Sequence, residues 1–209
     1  MGMMFGGSQT ARETSELAFT DPLTGLGNMR RFFDKVDRLI AERADDPAPF
    51  TIGILDLDGF KPINDLFGHR AGDDILIQVA MRLRAAMDGQ SAVTRVGADE
   101  FAFLFPMVFS EEAASEKAKM LIEILSAPYD VGERTARLSA SVGCSLFYSG
   151  DETTEILVNK AETALYQAKR TGRNKVEAAE ELPLSLENWR RKTAGVARQP
   201  QPGLVGGVA

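Results

Sequence analysis

An acidic turn between two apolar segments restricts how the middle of this chain can fold. The turn runs from Gly97 to Phe101 and contains two adjacent carboxylates, Asp99 and Glu100. Apolar side chains precede it, and phenylalanines alternate with other apolar residues after it, which is the pattern of two strands joined by a tight turn. The sequence therefore predicts a β-hairpin with acids at its tip. Turn chemistry alone explains these acids equally well as solvated turn residues.

A second acidic segment ends a run of strand-forming residues that begins at Phe50. It contains Asp56 and Asp58, which share one face of the strand if the strand stays regular. Magnesium prefers hard oxygen ligands and is usually held by one or two carboxylates together with substrate phosphates. If Asp56 lies near Asp99, this pair is a sufficient protein contribution to a magnesium site. Lys61 would then balance phosphate charge.

Four motifs follow one another along the chain. They are Asp21 to Asn28, Asp56 to Asp73, Arg95 to Phe101, and Leu165 to Lys169 followed by Gly172 to Asn174. In this order and spacing they resemble the GGDEF domain of the diguanylate cyclase family, from about Phe19 to about Val176. The resemblance implies that two GTP molecules condense to cyclic di-GMP and release two pyrophosphates. It also implies Mg²⁺ or Mn²⁺ as cofactor, and a homodimer for turnover because each site holds one GTP.

The resemblance assigns roles to individual residues. The implied metal ligands are Asp56, the backbone carbonyl of Leu57, Asp99 and Glu100. Asp99 and Glu100 would also be the catalytic pair, with Asp99 accepting the proton of the attacking hydroxyl. Guanine would be recognised by Asn64 and Asp73. The implied substrate contacts beyond the base are Lys61, His69, Gly97, Ala98, Lys169 and Arg173.

Some of these residues also have an ordinary structural explanation. Asp58 is as well suited to hold its turn by hydrogen bonding as to touch metal. Asp73 would be a favourable charge in the first turn of a helix predicted from Gly72 to Met87. Lys169 and Arg173, predicted one turn apart near the end of the last helix, would be favourable there as ordinary basic residues.

Two positions depart from the family pattern. Ala98 stands at the second glycine of the signature, and if that position needs φ above zero, alanine costs on the order of 1 kcal/mol. Its methyl group would also approach a bound nucleotide. Asp88 and Ser91 stand at the arginine and aspartate of the family's inhibitory product site, which predicts that this site is lost.

Three functional hypotheses remain from the sequence. The first is an active diguanylate cyclase, and the alternative is a catalytically impaired GTP-binding regulatory module because of Ala98. The third, an interaction scaffold with vestigial motifs, is disfavoured because the metal and guanine residues are retained. His69, the only histidine, is a weak site candidate because a lone loop histidine is more often packed or exposed.

The order of predicted elements indicates an α+β fold. The predicted elements are a helix from Asn28 to about Ala44, the strand from Phe50, the helix from Gly72, the hairpin, a helix from Ser110 to Ser126, a strand ending at Leu146, a helix from Thr154 to Arg170 and a strand near Lys175. The resemblance implies a ferredoxin-like, nucleotide-cyclase (palm-type) core whose central, mostly antiparallel sheet of about five strands is flanked by helices. We expect residues 1–18 to be a linker or helix, 19–178 the GGDEF domain and 179–209 a flexible extension.

Composition restricts the class of partner. The 209 residues carry a formal net charge of −6, which argues against nucleic acid and anionic membranes as general partners. No apolar segment approaches the roughly 18 residues of a membrane span. We therefore expect a cytoplasmic protein without membrane insertion. Cys144, the single cysteine, fits core packing in an alternating strand.

Overall fold

The structure, a computed structural model, describes residues 17–44, 48–148 and 152–179. In chain order the described elements are α1 Met29–Glu42, β1 Phe50–Asp58, α2 Phe60–Phe67, α3 His69–Ala86, β2 Ala92–Arg95, β3 Glu100–Phe105, α4 Glu111–Leu125, β4 Tyr129–Val131, β5 Arg134–Ala136, β6 Ser139–Phe147, α5 Thr154–Arg170 and β7 Val176–Ala178. Strand β1 lies at the centre of a five-stranded sheet of order β2-β3-β1-β6-β7. Among these described strands, only β6 and β7 pair in parallel.

Helices cover both faces of the sheet. Phe50, Ile52 and Ile54 of β1 belong to an apolar cluster with residues of α1 and α5. Leu55 and Leu57, on the opposite face of β1, belong to a second cluster with residues of α3 and α4. Because both faces are covered, β1 is buried at every position except its last. This arrangement confirms the predicted α+β fold with a mostly antiparallel sheet of five strands.

Local capping explains why three helices begin where the sequence predicts. Asn28 accepts a hydrogen bond from the backbone N–H of Arg31 at the start of α1, and Ser110 does the same for Ala113 at the start of α4. Thr153 caps α5 in the same way. Side-chain acceptors at the N-cap satisfy backbone donors that have no partner within the helix. Helix α5 has the predicted bounds, whereas α1 ends at Glu42, slightly before the predicted end.

The helix predicted from Gly72 begins earlier, at His69, and a separate helix, α2, precedes it. Gly68 separates the two helices with φ of +86°, a conformation that glycine adopts readily. Asp73 consequently lies beyond the first turn of α3. Since the helix dipole acts mainly within that turn, the predicted dipole explanation for Asp73 is wrong.

A small hairpin of β4 and β5 was not predicted. The sequence pattern from Ala136 to Leu146 indicates one strand, but β6 begins only at Ser139 and Ala136 pairs with Tyr129 instead. The amide of Gln78 on α3 bonds both the N–H and the carbonyl of Asp130, which holds this hairpin against α3. The short closing strand near Lys175 is confirmed as β7.

The predicted terminal segments lie almost wholly outside the described residues, which do not include 1–16 or 180–209. Among the helices that are described, none has the length and apolarity needed to cross a membrane.

Candidate active site

The C-terminal end of β1 places two carboxylates on the face of the sheet that carries α5. Oδ2 of Asp56 lies 2.6 Å from Nζ of Lys169 on α5. Asp58 accepts hydrogen bonds from the hydroxyls of Ser139 and Ser141 and from the backbone N–H of Asn174. Asp58 thus holds together the end of β1, the start of β6 and the loop after α5. The predicted shared face is confirmed, and the geometry favours the structural explanation for Asp58.

The acidic turn lies beside Asp56. In the β1 and β3 register, Asp56 is directly opposite Glu100, and the N–H of Leu57 donates to the carbonyl of Asp99 at 3.1 Å. Burial raises the pKa of Asp56 to about 6, with Lys169 opposing this and the charges of Asp99 and Glu100 adding to it. The hairpin therefore brings three carboxylates into one electrostatic neighbourhood, as the family resemblance implies.

The donor chemistry of this neighbourhood fits a hard divalent cation. Within the described ranges, no group of three or more His, Cys, Asp or Glu side chains is arranged to enclose a metal ion. Carboxylate and carbonyl oxygens are nevertheless the ligands that Mg²⁺ prefers, and it commonly uses few of them beside substrate phosphates. The raised pKa of Asp56 marks a site where added positive charge stabilises the ionised carboxylate.

Arg95 attaches the turn to the loop before α1, a role that the sequence pattern did not reveal. Its guanidinium donates to the carbonyl of Ala98 at 2.7 Å and pairs with Asp21 at 3.2 Å. Its backbone N–H donates to the carbonyl of Gly27. Burial raises the pKa of Asp21, but hydrogen bonds from Thr24 and the Arg95 charge outweigh it, so that the pKa lies below its ordinary value.

The two signature positions before Asp99 differ in what they require. A Cβ on Gly97 would lie 2.4 Å from Oε2 of Glu100, so this glycine makes room for the Glu100 carboxylate. Ala98 is exposed, and positive φ among the described non-glycine residues occurs only at Arg173 and Asn174. Ala98 therefore does not have a positive φ, and the conformational cost of alanine at this position does not arise.

Ala98, Asp99 and Glu100 line one side of a cavity of about 370 Å³. The other lining residues are mostly apolar, including Phe33 of α1 and Val158 of α5. Ala98 therefore lies on the wall of this cavity, next to the two signature carboxylates.

The residues implied for guanine recognition lie on the paired helices α2 and α3. Oδ1 of Asn64 is buried and has no hydrogen-bond partner within the described part of the chain. A Cβ on Gly72 would lie 1.8 Å from this oxygen, so Gly72 allows Asn64 to pack against α3. Asp73 follows directly and is exposed. Gly72 is a positioning residue that the sequence analysis did not identify.

The remaining basic candidates are only partly assembled. Lys61 is exposed and pairs with Asp65 at 3.0 Å, and His69 is the exposed first residue of α3. Helix α5 ends at Arg170, so Arg173 does not continue it and the predicted spacing of one helical turn from Lys169 is wrong. It lies in the following turn with φ of +61°, and its Nε is 3.9 Å from Oδ1 of Asp58.

The sheet order and the acids where β1 meets the β2 and β3 hairpin define an α+β domain of the nucleotide-cyclase, palm-type class. Residues 18–175 match the family described as diguanylate cyclase, GGDEF domain. The chain belongs to the GGDEF family.

Relatives of known name agree with this assignment. Over 163 residues the chain is 38% identical to the bifunctional diguanylate cyclase/cyclic di-GMP phosphodiesterase MucR of Pseudomonas aeruginosa, covering 78% of this chain and 24% of MucR. It is 33% identical to the response regulator PleD of Caulobacter vibrioides, covering 77% of this chain and 36% of PleD. The chain thus spans about a quarter to about a third of these curated relatives.

Solved structures show the same fold. The coiled coil and GGDEF domain of DgcB from Caulobacter crescentus, in complex with c-di-GMP, has a TM-score of 0.76 at 28% identity, covering 82% of this chain and 91% of that one. The GGDEF domain of TpbB from Pseudomonas aeruginosa has a TM-score of 0.71 at 31% identity, covering 76% of this chain and 99% of that one.

Proposed function

We propose that this domain is a diguanylate cyclase that condenses two GTP molecules to cyclic di-GMP with release of two pyrophosphates. The observation that carries the proposal is the convergence of Asp56 with the Asp99 and Glu100 turn at the end of β1, beside Lys169. Membership of the GGDEF family and relatives named as diguanylate cyclases support it.

The reaction requires the 3′-hydroxyl of one GTP to attack the α-phosphate of another. Asp99 would accept the proton of that hydroxyl. Asp56, the Leu57 carbonyl, Asp99 and Glu100 would hold Mg²⁺ or Mn²⁺, which when bound neutralises charge that accumulates on the phosphate oxygens. Lys169 would contact the outer phosphates together with Lys61 and Arg173. To do so, Lys169 would have to give up its ion pair with Asp56.

Guanine recognition would come from Asn64 and Asp73. Guanine offers hydrogen-bond donors at N1 and N2, so that one carboxylate can accept two bonds, whereas adenine has no proton at N1. The exposed Asp73 carboxylate and the unpartnered amide oxygen of Asn64 therefore favour GTP over ATP. His69, at the start of the same helix, would lie near the nucleotide.

Each cyclase site would hold one GTP, so turnover would require two domains that face each other as a homodimer. With GTP as its substrate, this activity would belong in the cytoplasm. Product feedback through the family's inhibitory site would be absent, because Asp88 replaces its arginine. The Asp88 carboxylate accepts from the N–H of Gln90 and Ser91 and would repel a phosphate.

The direct test is to incubate the protein with GTP and Mg²⁺ at a concentration that favours dimers and to quantify cyclic di-GMP by chromatography. We expect product from the wild type and none from Asp99→Ala. Asp74→Ala, which alters an exposed carboxylate on α3, is the matched control and should retain activity. Absence of product from the wild type would contradict the proposal.

The position of Ala98 favours a second candidate, a GTP-binding regulatory module with impaired catalysis. Its methyl group lines the cavity beside Asp99 and Glu100, and a displacement of about 1 Å at a reacting group costs about a hundredfold in rate. Tight GTP binding without product, together with turnover restored by Ala98→Gly, would identify this second function.

A further inference from the structure

Three large apolar side chains are exposed at the end of the sheet opposite the candidate active site. Strand β1 begins at this end with Phe50 and finishes at the other with Asp58. Met107 and Phe109 belong to the loop that leads into α4, and Tyr148 directly follows β6; they are 57%, 45% and 55% exposed. These three side chains form the apolar patch. Exposed apolar groups gathered at one place are typical of contact surfaces.

The described contacts place Phe109 and Tyr148 at the same end of β1. The carbonyl of Val108 accepts a hydrogen bond from the hydroxyl of Thr51 at 2.9 Å, so Phe109 follows a residue held against the start of β1. The last residue of β6 pairs with the first residue of β1, and Tyr148 comes next in the chain. The two aromatic side chains therefore belong to one surface.

Glutamates border this surface. Burial raises the pKa of the Tyr148 phenol, and the charges of Glu111, Glu152 and Glu112 add to this effect, with Lys160 opposing it. These three carboxylates therefore lie within electrostatic reach of the phenol. Glu152 is paired with Lys160 at 2.5 Å, whereas Glu111 and Glu112 begin α4 and form no ion pair within the described ranges. The patch thus has an acidic rim, which favours a basic binding partner.

Strand β7 carries the chain towards the apolar patch. It runs parallel to β6 with Ala178 opposite Cys144, and the N–H of Ala179 donates to the carbonyl of Cys144 at 2.8 Å. Tyr148 follows four residues further in the same direction, roughly 13 Å at about 3.3 Å per residue. A chain that leaves Ala179 along the direction of β7 therefore heads for this end of the sheet.

The sequence beyond Ala179 contains an aromatic residue followed by a basic run. Trp189 is the only tryptophan of the chain, and Arg190, Arg191 and Lys192 follow it. After Trp189 the sequence has four basic residues and no acidic one, although the net charge of the chain is −6. Trp189 stands ten positions after Ala179, and an extended chain spans roughly 3.3 Å per residue. The distance to the patch is well within that reach.

We propose that Trp189 binds the apolar patch of its own domain, with Arg190, Arg191 and Lys192 facing the glutamate rim. Tryptophan and arginine are among the residues that contribute most at protein contacts, and aromatic pairs add to the energy of buried area. Because the segment is tethered, its effective concentration is of millimolar order, so that a weak contact suffices. The contact would fix the path by which the chain leaves the domain and would restrict the extension that the sequence predicts to be flexible.

The proposal does not depend on cyclase activity, because the patch lies roughly 20 Å along β1 from Asp56. Since Trp189 is the only tryptophan, intrinsic fluorescence of the full chain reports on its surroundings alone. The emission maximum and quenching by acrylamide are measured for the wild type, Phe109→Ser, Tyr148→Ser and Glu111→Lys. The matched controls are Met81→Ser, which changes an exposed methionine of α3, and Glu123→Lys, which changes an exposed glutamate near the end of α4.

We expect the wild type to emit at shorter wavelength than the urea-unfolded protein. Phe109→Ser and Tyr148→Ser should move the emission to longer wavelength and increase quenching. Glu111→Lys should shift it in the same direction, and about 1 M salt should reproduce part of that shift in the wild type because it screens exposed charges. Met81→Ser and Glu123→Lys should match the wild type.

All five substitutions change exposed side chains, and circular dichroism checks that each variant is folded. Wild-type emission equal to that of the unfolded protein would overturn the proposal. So would a short-wavelength emission that neither aromatic substitution changes. An emission that shifts with protein concentration would assign Trp189 to the patch of a second copy and would overturn binding within its own domain.

Discussion

Nζ of Lys169 lies 2.6 Å from Oδ2 of Asp56, so that a helix ammonium neutralises the buried carboxylate at the end of the central strand. Both side chains are implied to act on substrate, one through metal and the other through phosphate. In this arrangement the two side chains pair with each other and not with metal or phosphate. Binding of metal and nucleotide would therefore exchange this ion pair for two new ones.

Removal of Lys169 should affect metal and nucleotide in opposite directions. Lys169→Gln eliminates a competing cation from Asp56, and we expect Mn²⁺ without nucleotide to bind up to about fivefold more tightly, since such a pair contributes on the order of 1 kcal/mol. GTP should bind more weakly because a phosphate contact is lost. Mn²⁺ binding by electron paramagnetic resonance and GTP binding by calorimetry measure the two effects. Equal Mn²⁺ affinity in the wild type and in Lys169→Gln would show that Lys169 does not compete for Asp56. The control is Lys119→Gln, at an exposed lysine of α4, which should change neither Mn²⁺ affinity nor GTP affinity.

Asp73 and Asp74 provide a matched pair for base recognition, because both are exposed neighbours on α3. Asp73→Ala should reduce GTP affinity by roughly tenfold to a hundredfold, as hydrogen bonds to a charged group contribute about 1.5–3 kcal/mol. Asp74→Ala should leave it unchanged. Competition by ATP, measured in parallel, should become more effective only in the Asp73 variant. Similar losses in the two variants would contradict a guanine-specific role.

Gly72→Ala tests the placement of Asn64. The new Cβ would lie 1.8 Å from Oδ1 of Asn64, so that the amide must move, and overpacking of this kind costs about 1–3 kcal/mol. We expect GTP affinity to fall at least fivefold. Gly89→Ala, where a Cβ meets open space, is the control. A Gly72→Ala protein that binds GTP as the wild type does would exclude Asn64 from the base site.

The Asp21 and Arg95 pair predicts a pH-dependent contribution to stability. The pKa of Asp21 lies below its ordinary value of 3.8, so ionised Asp21 stabilises the fold above that pH, and this stabilisation is lost as pH falls through the folded-state value. Asp21→Asn should therefore lower the free energy of unfolding by about 1–2 kcal/mol near neutral pH, equally at about pH 5, and by less near pH 3. Urea denaturation at the three pH values measures this difference. A loss that is independent of pH down to about 3 would rule out the ionic explanation.

Asp34→Asn serves as the control for that experiment. Its partner Arg38 is largely exposed, and exposed pairs of this spacing contribute only about 0.3–0.5 kcal/mol. If Asp34→Asn lowers the free energy of unfolding as much as Asp21→Asn does, the burial of the Asp21 and Arg95 pair is not the cause of its larger expected contribution.

Elements with local signals could be predicted from the sequence. The apolar run from Phe50 and the Thr153-capped helix that begins at Thr154 carry their information in adjacent residues. The separation of α2 from α3 depends on the positive φ of Gly68, which the apolar pattern does not encode. The β4 and β5 hairpin escaped prediction because its register is supported by Gln78, 52 residues away from Asp130 in sequence.

The site residues divide in the same way, into those with a local sequence signal and those placed only by the fold. The strand end at Asp56 and the hairpin tip at Asp99 are both visible in the sequence, and the family resemblance implied that they lie together. The contacts of Arg95 with Ala98 and Asp21, and the space that Gly72 leaves for Asn64, are formed between segments whose distance only the fold determines. The position of Arg173 was also beyond local signals, because the chain leaves the helix after Arg170 and Arg173 adopts a positive φ in the turn that follows.

The most direct test of the account is Mn²⁺ binding in the presence of a non-hydrolysable GTP analogue, followed by electron paramagnetic resonance. The account predicts that the wild type and Asp74→Ala bind the ion, and that Asp56→Ala and Asp99→Ala each lose it while both remain folded by circular dichroism. Undiminished Mn²⁺ binding in both folded variants would contradict a cation site shared by these two carboxylates.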